Sequence, residues 1–296
     1  MDTEKCKALF EILKYGSFSA AAEKMGYTPS GLSRMMAAME EDAGFPLLIR
    51  SREGVRATRE CEIMMPVYRE LIAADEKYRQ SISDVLGIHT GTVVVGTAYS
   101  IYYKWLSNVI ADFKKEYPRI EVGINNGKST ELHRMIADHE MDFCIVSRRN
   151  DDVSWYHLFD DPLVAIVPAD SHLAKEKSFH LKRFETESYI ETFRGQDTDN
   201  ARMFRKNNIH PNIKFETEDT YASHRMVEAG LGISLSNHIE TKERSEGKSV
   251  RLKELDPPQI VEIGIATPPD EFISPAARKF RDFAMQYVDE LILHPM

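Results

Sequence analysis

No run of about 18 apolar residues occurs in the 296-residue chain, which excludes a membrane-spanning helix on sequence grounds. The N-terminus also lacks the charged-then-apolar layout of a secretory signal, so a cytoplasmic protein is expected. Cysteine is scarce. Cys6, Cys61 and Cys144 are odd in number and far apart, which speaks against a disulfide framework. Cys144, in the run Phe143-Cys144-Ile145-Val146, reads as a small buried hydrophobe, with no second cysteine nearby to resolve a redox sensor. Catalytic signatures are missing too. There is no G-x-S-x-G or Walker A sequence, and Gly230-Leu231-Gly232 is an isolated fragment of a nucleotide fingerprint. The ten histidines are scattered, and His133 and His139 are six apart, off the i, i+4 spacing of a helical metal pair. No enzyme, cofactor or metal is expected.

Positive charge is also in short supply, at 38 Lys/Arg against 47 Asp/Glu, a net charge of −9. The deficit is uneven. Residues 1–58 hold eight of each sign, so the excess acid belongs to residues 59–296. The length favours two or three domains over one core.

What is present concentrates in residues 17–58. Ser17 or Ser19 can cap a helix rich in alanine that stops at Gly26. Thr28 caps a second helix with Pro29 at its first position, giving a helix-turn-helix. Leu32, Met35, Met36 and Met39 form its apolar stripe, while Ser30, Arg34 and Ala37, flanked by Ser33, occupy the other side. Small and hydrogen-bonding residues beside one long donor suit a base edge or a phosphate. Gly44 ends the helix, and Arg50, Arg52 and Arg56 then lie on a tight turn suited to phosphates or the minor groove. Read singly, these features also suit an ordinary amphipathic helix pair with a solvated loop; in this order they favour a DNA reader. Thr28, Pro29, Ser30, Ser33, Arg34, Ala37, Arg50, Arg52 and Arg56 are the candidate contacts.

Gly16-Ser17-Phe18-Ser19, Ala21-Ala22, Thr28-Pro29-Ser30-Gly31-Leu32-Ser33, Met39-Glu40, Gly44, Leu47-Leu48-Ile49-Arg50 and Thr58 together resemble the N-terminal domain of the LysR-type transcriptional regulators. Two positions depart from that pattern. Pro29 stands where a base-contacting Gln is usual, and Gly31 replaces Ala inside the helix, at a cost of up to about 1 kcal/mol. Base preference therefore does not transfer.

Thr58 to Leu86 reads as one long helix ended by Gly87. Met64, Tyr68, Leu71, Asp75, Tyr78, Ile82 and Val85 follow a heptad seam with one polar interruption, and Pro66 is expected to bend the helix. A partner helix, or packing on the chain's own C-terminal part, would cover the seam. The resemblance implies the former, a dimerisation linker that spaces two recognition helices about 34–36 Å apart.

From residue 91, β-rich runs alternate with amphipathic helices. Strands are expected near 92–96, 120–124, 142–146, 188–192, 212–217, 232–236 and 260–266. Helices are expected near 103–116, 130–138, 197–206 and 220–229, and Ser274-Pro275 opens a last one. Such alternation predicts a mostly parallel sheet in two lobes, about 91–165 with 267–296, and about 166–266. Gly91-Thr92-Val93, Asp142-Phe143-Cys144-Ile145, Leu163 to Pro168 and Glu228-Ala229-Gly230-Leu231-Gly232-Ile233 resemble the LysR effector domain, itself similar to type 2 periplasmic binding proteins; Leu235-Ser236 replaces the usual Leu-Pro. The overall expectation is α/β, with an all-α winged helix-turn-helix at 1–58, a linker helix at 59–88 and a two-lobed effector domain at 89–296.

A cleft beyond the strand ends would collect Tyr99-Ser100, Lys128-Ser129-Thr130, Ser147-Arg148 and Thr192-Phe193-Arg194. Helix N-termini, hydroxyls and Arg148 or Arg194 suit a small organic anion, with Phe193 or Tyr99 over its apolar part. The hydroxyls also suit plain helix caps, and the arginines suit pairing with Asp151 or Asp197. The expected function is a DNA-binding transcriptional regulator, dimeric or tetrameric, that responds to a small-molecule effector. The alternatives are an α/β solute-binding protein and an enzyme of that class.

Overall fold

Asp2 accepts a hydrogen bond from the Glu4 N–H and starts α1 (Thr3–Tyr15). This is a computed structural model, and it describes residues 2–149, 153–245 and 249–289. Asp151 falls outside them. Ser17 caps α2 (Phe18–Met25), and Gly26 ends it in the left-handed region. Thr28 caps α3 (Pro29–Ala43) through the Gly31 N–H. Leu32, Met36 and Met39 of α3 are buried against Leu9, Ile12, Ala21 and Ala22, so the helix pair is held by the predicted stripe. Strands β1 (Leu48–Ser51) and β2 (Gly54–Ala57) form the wing, with Arg50 paired to Val55. Glu40 fixes the wing's angle by accepting from the Leu47 and Leu48 N–H groups at 2.8 and 3.1 Å. Gly54 has φ +126°, and a Cβ there would lie 2.9 Å from the Gly16 carbonyl, so the wing packs against the α1–α2 turn only because that atom is missing.

Helix α4 (Arg59–Val85) is capped by Thr58 and runs unbroken through Pro66. Its seam divides. Met64 and Tyr68 pack into the N-terminal core, whereas Leu71, Tyr78, Ile82 and Val85 are exposed, together with Ile63 and Val67. Asp75, the polar interruption, accepts from Arg79 and Thr3. The end of α4 rests on the C-terminal part, where Gln80 accepts from the Ala276 N–H at 3.1 Å and Asp84 pairs with Lys279 at 2.6 Å.

The C-terminal part continues with β3 (Gly91–Thr97), α5 (Tyr103–Glu116), β4 (Ile120–Asn126), α6 (Ser129–Ala137) and β5 (Phe143–Ser147). A 15-residue strand, β6 (Ser154–Pro168), then enters the second lobe. There follow β7 (Phe179–His180), β8 (Tyr189–Thr192), α7 (Asp199–Lys206), β9 (Ile213–Thr217), α8 (Thr220–Glu228), β10 (Ser234–Asn237), α9 (His238–Ser245) and β11 (Val250–Asp256). The chain returns through β12 (Ile260–Thr267) to α10 (Pro275–Met285), capped by Ser274.

The main sheet is mixed, which corrects the mostly parallel expectation. Its order is β4-β3-β5-β12-β6-β11-β7, with β10 also on β6. Strands β3, β4 and β5 are parallel, but β12 is antiparallel to both β5 and β6, and β10 and β11 are antiparallel to β6. Antiparallel neighbours need no helical crossover, which lets the chain pass between lobes on bare strands. The expected strands at 188–192 and 212–217 lie off this sheet, as the parallel pair β8–β9. One lobe centres on Phe113, Phe143 and Phe280, with ring separations of 5.1 and 5.3 Å. The other centres on Phe179, Phe184, Tyr189 and Phe204. Each buried ring contributes about 1.5–3 kcal/mol through removal from water.

Candidate DNA interface and interlobe cleft

Thr28 spends its hydroxyl on the Gly31 N–H at 3.1 Å, with the Ser30 hydroxyl 3.3 Å away. Pro29, Ser30, Arg34 and Ala37 are exposed along one side of α3, and Ser33 is half-buried. The Arg50 guanidinium lies 4.4 Å over the Phe18 ring and donates to the Ser33 hydroxyl at 3.1 Å, so wing and helix are joined. Arg52 is exposed at the tip, and Arg56 makes a solvated pair with Glu53 at 3.4 Å. An exposed pair of this kind contributes little. A convex helix face with flanking arginines thus stands clear of the core.

Between the lobes lies a cleft of about 220 Å³. Tyr99, Ser100, Lys128, Ser129, Thr192 and Phe193 line it. Ser129 and Ser147 are buried, and the Ser147 N–H donates to Ser129 Oγ at 3.1 Å. The Lys128 ammonium sits 4.7 Å over the Phe193 ring. Thr130 lies just outside, donating to Asp197 at 2.8 Å. Burial works to raise the Asp197 carboxyl, but hydrogen bonds from Arg202, Arg205 and Thr130 outweigh it and hold the group well below the usual carboxylate range.

The two expected arginines lie elsewhere. Arg148 packs 5.5 Å over the Trp155 ring, and Arg194 is on the surface beside Glu216 at 3.1 Å and Glu191 at 3.9 Å. The cleft's arginine is Arg149, whose side chain is only 4% exposed. Alternation along an extended segment was the signal for it. Residues two apart share a side, so Ser147 and Arg149 face the cleft while Arg148 turns away.

Asp199, the first residue of α7, carries no sequence signal for the cleft. Its carboxylate accepts from the Tyr99 hydroxyl at 2.7 Å and the Ser147 hydroxyl at 2.8 Å, and pairs with Arg149 at 2.8 Å. Burial, and then the Asp199 charge, push the Tyr99 phenol well above its ordinary value, so it acts as a donor. On the second lobe, Glu240 lies within 3.3 Å of the Ser100 and Thr220 hydroxyls. Such a cleft can hold a small polar molecule between two hydroxyl-rich walls.

Among the described residues, no group of three or more His, Cys, Asp or Glu is arranged to hold a metal ion, and no helix is long and apolar enough to cross a membrane. The three cysteines are free and buried.

Comparison with known proteins agrees with this architecture. The profile of the bacterial regulatory helix-turn-helix protein, lysR family, matches residues 3–62, and that of the LysR substrate binding domain matches residues 87–289. The transcriptional dual regulator GltC of Bacillus subtilis (strain 168) is 25% identical over 300 residues, covering 98% of this chain and 99% of that protein. Full-length OxyR from Pseudomonas aeruginosa shares the fold with a TM-score of 0.73 at 17% identity, over 98% of this chain and 95% of its own. The effector binding domain of QuiR, in complex with shikimate, has a TM-score of 0.55 at 24% identity, covering 68% of this chain and 98% of that domain. These relatives and profiles describe regulators rather than enzymes. The chain belongs to the LysR family of helix-turn-helix transcriptional regulators.

Proposed function

We propose that residues 1–58 read an operator, residues 59–88 pair two copies, and residues 89–296 sense a small organic anion in the cytoplasm. Thr28, Pro29, Ser30, Ser33, Arg34 and Ala37 meet the major groove, while Arg50, Arg52 and Arg56 meet phosphates or the adjacent minor groove. The observation that carries this reading is the exposed side of α3 bearing Ser30, Arg34 and Ala37, held beside the wing by the Arg50–Ser33 hydrogen bond. The exposed Leu71, Tyr78, Ile82 and Val85 supply an apolar seam for a second copy, as a dimer or as the unit of a tetramer.

The ligand class rests on the cleft's own chemistry, since the likeness to QuiR supplies the fold alone. Lys128, Arg149 and the surrounding hydroxyls favour an acidic group, in competition with Asp197, Asp199 and Glu240 of the same lining, and Phe193 and Tyr99 offer apolar cover. Ligand binding shifts the lobes, and through α4 the spacing of two DNA sites, to the extent that it favours one arrangement. Two measurements test the reading. Duplex affinity of the purified protein is expected to fall steeply with salt, and small carboxylates are expected to raise its melting temperature. Salt-independent duplex affinity, or melting shifts with cations or sugars only, would overturn it.

A further inference from the structure

The anion-binding part of the cleft is already filled by the protein itself. Three donors of the first lobe converge on one carboxylate of the second: Tyr99 Oη at 2.7 Å, Ser147 Oγ at 2.8 Å and Arg149 Nη2 at 2.8 Å, all on Asp199. Tyr99 and Ser147 are buried, and the Arg149 side chain is nearly so. The rest of the Arg149 guanidinium is committed as well, to Thr130 at 3.0 Å, Ser147 at 2.5 Å and the Arg148 carbonyl at 3.1 Å. Among the described residues, Asp199 is the counter-charge of this arginine.

We infer that Asp199 stands in for the ligand's acidic group, so that an effector carboxylate binds by displacing Asp199 from Arg149, Ser147 and Tyr99. This rests on the reading of the cleft as a site for a small organic anion. Entry of the ligand and release of a lobe-to-lobe latch are then a single exchange. The chemistry selects the class of ligand. A buried guanidinium stripped of its counter-charge is strongly destabilising, so a neutral or cationic molecule cannot evict Asp199, whereas a carboxylate replaces like with like. The displaced side chain has somewhere to go: Asp199 sits in the first turn of α7, where negative charge is favoured, and its side chain is already 14% exposed.

The test uses sodium acetate against sodium chloride at equal ionic strength, with thermal melting of the full-length protein as the readout. Asp199→Ala is expected to melt lower than the parent by about 5 °C or more, and to recover part of that loss in acetate but not in chloride. The parent, whose site is filled, is expected to respond less, and Arg149→Ala/Asp199→Ala not at all. If Asp199→Ala does not fold, Asp199→Asn carries the same comparison, because the amide keeps the shape and loses the charge. Equal response of parent and variant, or no acetate-specific recovery in a folded variant, overturns the latch. Recovery in the variant, with no larger carboxylate shifting the parent, sustains the latch and removes the effector reading instead.

Discussion

Arg69, midway along α4, pairs with Glu140 of the effector domain at 2.7 Å while its guanidinium lies 5.0 Å over the Phe10 ring of α1. Asp138 and Arg134 complete the cluster, with Arg134 on Asp138 at 2.5 Å. These residues lie at the C-terminal end of α6, whose first residue, Ser129, lines the cleft. One short helix therefore spans from the ligand cleft to the joint between linker and DNA-binding domain. A double-mutant cycle of Arg69→Ala and Glu140→Ala is expected to give a coupling of about 1 kcal/mol in chemical denaturation, since the pair is partly buried. Additive losses would show that the joint is held by other contacts.

At the recognition helix, Arg34→Ala is expected to weaken operator binding by about 1–3 kcal/mol. The loss should fall on one sequence if Arg34 reads a base, and equally on all sequences if it grips phosphate. Arg52→Ala is expected to reduce the slope of log affinity against log salt by about 1. An Arg34 variant with parental affinity would remove that residue from the interface.

Arg50 differs from Arg52 because its guanidinium lies over the Phe18 ring and is bonded to Ser33. An ammonium cannot reproduce both contacts, so Arg50→Lys is expected to lower DNA affinity severalfold even though charge is kept. Unchanged affinity of that variant would mean that charge alone matters at this position.

On the exposed seam, Ile82→Glu places a charge among Tyr78, Val85 and Leu86, all open to solvent in the single chain. The proposed dimer is expected to dissociate at least about tenfold more readily, as read by sedimentation or light scattering. An unchanged dissociation constant would move the pairing surface elsewhere.

Burial pushes the Asp142 carboxyl up to about 6, against the hydrogen bond it accepts from the Val94 N–H. The folded value lies above the unfolded value of about 4, so between those limits the native state keeps a proton that the unfolded chain has released. Stability from this group is full below about pH 4 and is lost as pH rises through about 6. Asp142→Asn keeps the acceptor for Val94 and removes the titration. Relative to the parent, it is expected to gain on the order of 2 kcal/mol between pH 4 and pH 7 in denaturant midpoints. A constant difference across that range would refute the assignment.

Local chemistry made most of the elements legible. Of Ser17 and Ser19, Ser17 is the cap, and Thr28, Thr58 and Ser274 likewise start their helices, because a capping hydroxyl acts within three residues of itself. Long-range pairing was harder to read. The middle of β6 carries Asp160-Asp161-Pro162, which looks like a turn, yet Asp161 is buried and accepts from the Ile239 N–H at the start of α9. Likewise β11 and α9 carry mixed polarity that no simple period marks. The sequence places Tyr99, Ser129 and Ser147 at strand ends beside a cleft, and the structure has Tyr99 and Ser129 in its lining with Ser147 bonded to Ser129. The sequence could not reveal that Asp199, from the other lobe, would close onto Tyr99 and Ser147, since that contact depends on how two lobes meet.

Along β6, hydrogen-bonding partners change hands between Pro162 and Leu163: β12 pairs up to Pro162, and β10 takes over from Leu163. The backbone there is uninterrupted, and the Leu163 N–H is still donated to the Gln259 carbonyl. The halves of the sensor are thus mounted on a common beam rather than tied by a loose strap. Any rotation between them has to be taken up as torsion in this continuous strand and in its neighbour β12. A twist of that beam reaches the DNA-binding domain along α4, whose end rests on Ala276 and Lys279.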